Sequence, residues 1–360
     1  MKIQAAVLRD GASPYTIEDV DLAEPRHDEV RVRIVGAGMC HTDALARAGF
    51  VALPMITGHE GSGVVDAIGP GVTTLAVGDH VVLSFDSCGV CDNCAKGQRA
   101  YCETFLPRNL TGRDLDGSTT VTDAAGHEVA ARWFGQSSLA THCIASIRNT
   151  VKVDADLPIE LFGPLGCGIQ TGAGSVLLSL QVKPGTSLVV FGSGAVGLAA
   201  IMAAVVAGAT TIIAVDLHES RLALAQELGA THVLRGDRDD LVTEIQTITG
   251  GGAHYTIDTT GIPSVMQSAV TCLRMTGMCG FVGVQIGNIE FDGSALMGKT
   301  VIGILEGSAD PHSFIPHMIQ LWRAGRFPFD RLITTYRLDQ VNEAEQSSLS
   351  GGAIKPVLIL

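Results

Sequence analysis

Positive charge is scarce in this chain. Lys and Arg number 24 against 37 Asp and Glu, giving a formal net charge of −13, and charged residues of both signs make up only 17% of the 360 residues. That balance repels phosphate backbones and excludes nucleic acid as a partner. An anionic ligand must therefore be held by local donors. No charged-then-apolar leader is expected, because Met1 to Leu8 reads as a strand, and no internal repeat or low-complexity tract is present. Nine cysteines is an odd count in a chain far too large to need disulfides, so a reducing, cytoplasmic location is expected.

Charge is absent altogether from Leu161 to Val182 and from Pro184 to Val215, and both runs exceed the length of a membrane span. Glycines interrupt both every few residues, and the second parses as strand, turn, helix, turn, strand. Buried α/β core accounts for them, and no membrane association is expected.

With 46% apolar residues the chain can bury a large core, and its length favours two domains. Up to about residue 155 it shows short β-rich runs (Glu29 to Val35, Gly63 to Ile68, His80 to Ser84, Leu139 to Ala145) separated by Gly, Pro and Asp turns. From Ser187, apolar strands alternate with Ala- and Leu-rich helices, which predicts right-handed βαβ units in a doubly wound parallel sheet. The six strands are Leu188 to Phe191, Thr211 to Val215, His232 to Leu234, Tyr255 to Asp258, Met278 to Val284 and Val301 to Ile304. A helix from Ser313 to Arg323 and short closing strands follow. The expected fold is α/β: a Rossmann domain over 169–308, flanked by a mostly β domain over 1–168 to which 309–360 returns.

Phe191-Gly192-Ser193-Gly194-Ala195-Val196-Gly197 is a GxGxxG that follows a strand and opens a helix, Ala195 to Ala207, closed by Gly208. In that context Gly192 makes the tight turn, Gly194 lets the backbone approach a pyrophosphate at the positive helix end, and Gly197 lets helix and strand pack closely. Asp216 ends the next strand, where it would accept the adenosine ribose hydroxyls and repel a 2′-phosphate, so NAD is expected over NADP. Arg221 is the one nearby fixed positive charge that works against this preference.

Cys88, Cys91, Cys94 and Cys102 form CxxCxxCx7C among turn residues, a spacing that can aim four thiolates at one centre. Four thiolates close a tetrahedron and leave no place for substrate. A structural zinc bracing a lobe with little apolar core is expected, contributing on the order of 10 kcal/mol in small zinc modules; an iron–sulfur cluster uses similar ligands. Cys143, Cys272 and Cys279 stand alone in apolar surroundings and read as packing residues. His127 and His142 lack ligand-like spacing.

Three further pieces, Cys40-His41-Thr42-Asp43, Gly58-His59-Glu60 and Gly166-Cys167-Gly168, are scattered over more than a hundred residues. Singly each is more often structural than a ligand. Together with the cysteine quartet, the dinucleotide motif, Gly58-His59-Glu60-Gly61-Ser62-Gly63 and the closing Ala353-Ile354-Lys355-Pro356, the chain resembles, end to end, the zinc-dependent medium-chain alcohol dehydrogenases. The stretches Leu83 to Gly89 and Phe162 to Gly172 are similar to the family's aryl-alcohol (benzyl alcohol) and geraniol branch.

The resemblance implies a GroES-like catalytic domain and two zincs per chain. Cys40, His59 and Cys167 would hold the catalytic zinc with the fourth position open, Asp43 would orient His59, and Glu60 would be an acid able to approach the metal. Thr42 matches the hydroxyl that receives the alcohol proton. Thr171 and Val196, with backbone near Val282 and Val284, match nicotinamide contacts, and His41 and Lys355 match basic residues on the pyrophosphate side. Zinc can lower the pKa of bound water to roughly 7, and an alcohol should respond in kind, so that its alkoxide expels hydride to NAD. The family's usual relay histidine is replaced by Leu45. A proton route from Thr42 to the nicotinamide ribose, and then to water or His41, is expected instead.

Ser84, Phe85, Leu106 and Asn109 are expected to help line an apolar cleft for a small-molecule substrate, a primary aryl or allylic alcohol or its aldehyde. Short aliphatic alcohols or polyols are the alternative substrates, and a non-enzymatic zinc- and NAD-binding redox sensor is the alternative of another class. A homodimer or homotetramer is implied, with the strand near Val301 as its meeting edge.

Overall fold

The computed structural model describes residues 1–285 and 287–360. The chain divides into two compact units, the first comprising 1–167, 310–317 and 330–360 and the second 168–309 and 318–329.

Two sheets build the first unit. In the smaller, the strands Met55–Ile56, Lys2–Leu8, Thr16–Leu22, Val121–Thr122 and Glu128–Val129 lie in that order. The larger runs Thr150–Val153, His80–Leu83, Glu60–Ile68, Glu29–Gly38, Lys355–Ile359, Ile333–Arg337, with His142–Ser146 also paired to Glu29–Gly38. The long strand Glu29–Gly38 alternates Val30, Val32 and Ile34 inward with Arg31 and Arg33 on the other face, the period expected of a half-buried strand. At its end Gly38 pairs with Glu60 on one side and Val357 on the other. A Cβ at Gly38 would lie 2.1 Å from Glu60 Oε2, so the glycine makes room for a carboxylate inside the sheet.

The second unit is a six-stranded parallel sheet in the order His232–Arg235, Thr211–Asp216, Ser187–Phe191, Ala253–Asp258, Leu273–Phe281, Thr300–Gly303. This is the doubly wound 3-2-1-4-5-6 order expected of a dinucleotide-binding fold. Ser187–Phe191 is buried at every position, as a central parallel strand must be. The helix Ala195–Ala207 ends on Gly208 in the left-handed conformation, a glycine stop.

Two expectations shift. The fifth strand lies over Leu273–Phe281, so Val282 and Val284 fall in the loop after it, where Val282 N bonds back to Asp258 O. The return to the first unit is also interrupted, because 318–329 belong to the second. The helix Pro311–Arg323 continues through that boundary, burying Met318 and Ile319, and Phe327 and Phe329 follow them into the interior. No helix among the described residues is long and apolar enough to cross a membrane. The uncharged run from Leu161 is broken into a short 3₁₀ turn, the helix Gly168–Gly174 and a π turn.

Candidate active site

Cys40, His59 and Cys167 converge in the first unit. Cys40 follows the end of Glu29–Gly38, His59 precedes Glu60–Ile68, and Cys167 leaves the 3₁₀ turn Gly163–Gly166. One ligand atom from each lies within 4.8 Å of the others. Asp43, buried on the turn His41–Ala46, organises the group. Its Oδ1 accepts the ring Nδ1 of His59 at 2.9 Å, the backbone N–H of Gly58 at 3.0 Å and the indole N–H of Trp133 at 3.1 Å. Its Oδ2 accepts the backbone N–H of Cys40 at 3.0 Å.

A carboxylate only accepts, so Nδ1 of His59 carries a proton, and in the neutral imidazole Nε2 is left with a lone pair. That Nε2 is buried and has no hydrogen-bond partner. A buried imidazole nitrogen left unpaired beside two thiols is costly unless a metal takes the lone pair, and two sulfurs with one imidazole form an open zinc donor set. The residues fit a catalytic zinc.

Cys40 and His59 also shift one another's pKa. A hydrogen bond with Cys167, and then the charge on His59, hold the Cys40 thiol well below its usual range against the opposing effect of burial. Burial disfavours a charged His59, but Asp43 and Cys40 outweigh it and raise its basicity. The Thr42 hydroxyl lies 3.6 Å from Cys40 Sγ.

Glu60 and Lys355 are both buried, and Lys355 Nζ donates to both Glu60 oxygens at 2.8 Å and to Met39 O at 3.1 Å. Against burial, Glu60 raises the Lys355 pKa and keeps the ammonium charged. The three ammonium donors are thus engaged inside the first unit. Glu60, held by that ammonium, is not among the three residues whose ligand atoms converge.

Cys88, Cys91, Cys94 and Cys102 also converge, with their sulfurs within 4.8 Å of one another and Cys88 to Cys94 at 3.9 Å. Four sulfurs about 2.3 Å from a tetrahedral zinc would stand about 3.8 Å apart, so the cluster has the right size. Backbone N–H groups of Val90 and Cys91 point at Cys88 Sγ, and that of Cys88 points at Cys102 Sγ. Thiolates are what such donors stabilise. Cys143, Cys272 and Cys279 are buried, and burial pushes the Cys143 and Cys279 thiols up to about 12. His127 is exposed beside Asp123, and His142 lies 3.9 Å from Asp66.

In the second unit Gly192 has φ +89°, and a Cβ at Gly197 would lie 1.8 Å from Gly192 O. A Cβ at Gly194 would meet nothing within 4 Å, and no side chain caps the helix that starts there. Open space over uncapped helix N–H groups fits a pyrophosphate. Asp216, mostly buried, accepts the N–H of Ser193 at 2.6 Å and of His218 at 2.9 Å, and Arg221 stands 3.9 Å away. Val196 is half-buried and Val284 is exposed, and His41 of the first unit is also exposed. Thr171 is buried and donates to Glu306 Oε2 at 3.4 Å.

Ser84, Phe85 and Asn109 are buried. Ser84 donates to Gly166 O at 2.6 Å, and Asn109 joins Asp86 N, Asp86 O and Phe105 O. Leu106 is exposed. Sequence reasoning missed Trp133, Gln136 and Glu306. Only Glu306 left a signal, an acid beside a glycine at the end of an apolar strand.

Comparison with known proteins matches residues 26–155 to the alcohol dehydrogenase GroES-like domain and 195–323 to the zinc-binding dehydrogenase domain. Geraniol dehydrogenase of Castellaniella defragrans is 49% identical over 99% of this chain and 97% of its own length. The crystal structure of a zinc-binding-domain alcohol dehydrogenase from Burkholderia ambifaria superposes with a TM-score of 0.98 at 49% identity, covering 100% and 99% of the two chains. That of benzyl alcohol dehydrogenase from Acinetobacter calcoaceticus gives 0.96 at 44% identity, also covering 100% and 99%.

Proposed function

Since the chain belongs to the zinc-dependent alcohol dehydrogenase family, we propose that it interconverts primary aryl or allylic alcohols, of the benzyl alcohol, cinnamyl alcohol or geraniol type, with their aldehydes, using NAD. The reaction removes hydride from the carbinol carbon and a proton from the oxygen, giving aldehyde, NADH and one proton. The observation that carries the reading is the buried, unpartnered Nε2 of His59 beside Cys40 and Cys167. The substrate class rests on similarity to geraniol dehydrogenase and benzyl alcohol dehydrogenase.

Zinc, when bound, supplies the Lewis acid that lowers an alcohol's pKa, and NAD supplies the hydride acceptor. The chain's own residues do the rest. Cys40, His59 and Cys167 hold the metal, with Asp43 fixing His59. The Thr42 hydroxyl would accept the alcohol proton, and His41 or water would take it onward once the cofactor is bound. The N-terminal turn of Ala195–Ala207 would hold the pyrophosphate, and Val196, Thr171 and the backbone of Val282 and Val284 would contact the nicotinamide. Asp216 would receive the ribose hydroxyls and repel a 2′-phosphate, which favours NAD over NADP against the opposing charge of Arg221.

The Cys88 to Cys102 cluster holds a second zinc that braces its lobe. A homodimer or homotetramer meeting along the exposed edge strand Thr300–Gly303 is supported by that strand's position at the sheet end. A cytoplasmic location is supported by nine cysteines of which none is disulfide-bonded.

The test is NADH formation with benzyl alcohol, geraniol, ethanol and sorbitol, together with zinc per chain by elemental analysis. Turnover favouring benzyl alcohol or geraniol, with two zincs, supports the reading. Preference for ethanol or sorbitol would replace the substrate class, and no turnover on any would leave the redox-sensor alternative.

A further inference from the structure

Against His59 and Asp43 lies a short core segment that no part of the reaction uses. Over 133–137 the backbone is left-handed at Phe134 (φ 51°), Gly135 (φ 67°) and Ser137 (φ 54°). Two of these carry side chains, and such a conformation persists only where the surroundings impose it. Here the restraints are explicit. Asn149 Nδ2 donates to Phe134 O at 3.2 Å and Gly135 O at 3.3 Å, and Ser137 Oγ accepts from Trp133 N and donates to Ile56 O. Gln136 donates to His59 O and accepts from Gly61 N, both at 3.0 Å, and so grips the backbone on either side of Glu60.

The contortion delivers two aromatic side chains to one metal ligand. Phe134 lies over the His59 imidazole with ring centroids 4.3 Å apart and planes 21° from parallel. Trp133 places its indole N–H 3.1 Å from Asp43 Oδ1, the oxygen that also holds the Nδ1 proton of His59. Both aromatics are buried. A buried indole N–H needs an acceptor, and any nearby backbone carbonyl would satisfy it. This one is spent on the carboxylate that carries the ligand.

We infer that Trp133 and Phe134 are positioning residues for the metal ligand His59: the indole limits how strongly Asp43 draws on the imidazole proton, and the phenyl ring fixes the imidazole plane. Oδ1 of Asp43 serves three donors, the N–H groups of Gly58, His59 and Trp133. Each draws on the same lone pairs, so every additional donor weakens the pull on the others. Without the indole, Oδ1 pulls harder on Nδ1–H, Nε2 becomes a stronger donor, and the metal becomes more tightly held and less electrophilic. Trp133 thus trades metal retention for Lewis acidity. The inference rests on the reading of Cys40, His59 and Cys167 as the catalytic metal site.

The test uses the full chain loaded with Co(II), reading the thiolate and d–d absorption that is lost in Cys40→Ser. Trp133→Phe removes the N–H together with some volume. Benzothienylalanine at position 133 keeps the indole shape and removes only the N–H, so a folding failure of the first variant leaves the question answerable. The expected result for the benzothienylalanine protein is a shifted cobalt spectrum and loss of metal to a chelator slowed by up to roughly tenfold. Phe134→Leu should instead speed metal loss and alter the spectrum by loosening the ring. An unaltered spectrum and an unaltered rate of metal loss in the benzothienylalanine protein, whatever its melting temperature, would overturn the proposal. Failure of the unsubstituted chain to show any Cys40-dependent cobalt absorption would instead overturn the metal site itself.

Discussion

Asp43 Oδ1 stands 2.9 Å from Nδ1 of His59, and the other oxygen of the same carboxylate holds the backbone N–H of Cys40 at 3.0 Å. One buried side chain therefore orients two of the three converging ligands. Asp43→Asn keeps the shape but offers one acceptor oxygen to four donors and turns an N–H₂ group toward one of them. The expected outcome is a 10- to 100-fold loss of affinity for the catalytic zinc, with kcat falling in step and the zinc of the four-cysteine cluster retained. Zinc release to a chelator, followed beside turnover, checks both parts.

The four-cysteine cluster makes a separable prediction. Its ligands all fall within 88–102, and Cys88 and Cys91 are only half-buried, so this lobe gains little from apolar packing. Cys94→Ser should drop zinc content from two per chain to one and lower the melting temperature, because structural zinc contributes folding energy directly. Elemental analysis with calorimetry reads the result. Retention of two zincs in this variant would mean that three thiolates suffice.

How much of this was legible in the sequence depends on how far apart the partners lie. Gly192, Gly194, Gly197 and Asp216 belong to one βαβ unit, and the four clustered cysteines to one loop, so local spacing alone predicts where they meet. Cys40, His59 and Cys167 share no local pattern and were readable only through family resemblance. The Lys355 pairing was not legible because a sequence shows a charge but not its partner, which here lies 295 residues away. Trp133 and Asp43 are likewise 90 positions apart, and nothing at either position announces the contact. The bonds of Ser84 to Gly166 and of Asn109 to Asp86 are also not announced by spacing.

The Lys355 and Glu60 pair predicts a stability effect separate from cofactor binding. Both groups are buried and face to face, so removing Lys355 takes away the ammonium that offsets the burial of the Glu60 carboxylate. Lys355→Met should cost about 3–5 kcal/mol in denaturant unfolding of the zinc-loaded protein. The double variant Lys355→Met with Glu60→Gln should recover most of that loss, because a neutral amide replaces the stranded carboxylate. A Lys355→Met protein of unchanged stability but weakened NAD affinity would instead put the main role of Lys355 at the pyrophosphate.

Asp216 is expected to serve two purposes at once. It ties the N–H of Ser193 in the glycine turn and the N–H of His218 after the strand, and it keeps acceptor capacity for ribose hydroxyls. Asp216→Ala should therefore weaken NAD binding by about 1–2 kcal/mol, roughly 5- to 30-fold. The loss for NADP should be smaller, because the repulsion of a 2′-phosphate disappears while Arg221 remains. Dissociation constants for NADH and NADPH, measured by fluorescence titration, decide it, and an equal loss for both would remove Asp216 as the discriminating residue.

Leu45 sits two residues beyond Asp43 on the turn His41–Ala46, half-buried against the core. It offers no group that can carry a proton, so the route from Thr42 depends on water or on the exposed His41. Leu45→His inserts a base, and a positioned acid–base group is worth roughly 100-fold or more where proton transfer limits the rate. Only the neutral imidazole can accept the proton. The gain in kcat should therefore be full above a pKa near 6.5 and fade as pH falls through it. The variant's pH–rate profile should acquire that limb, and the solvent isotope effect on kcat should shrink. If the profile and the isotope effect both match those of the parent chain, proton release does not limit turnover and Leu45 is only a packing residue.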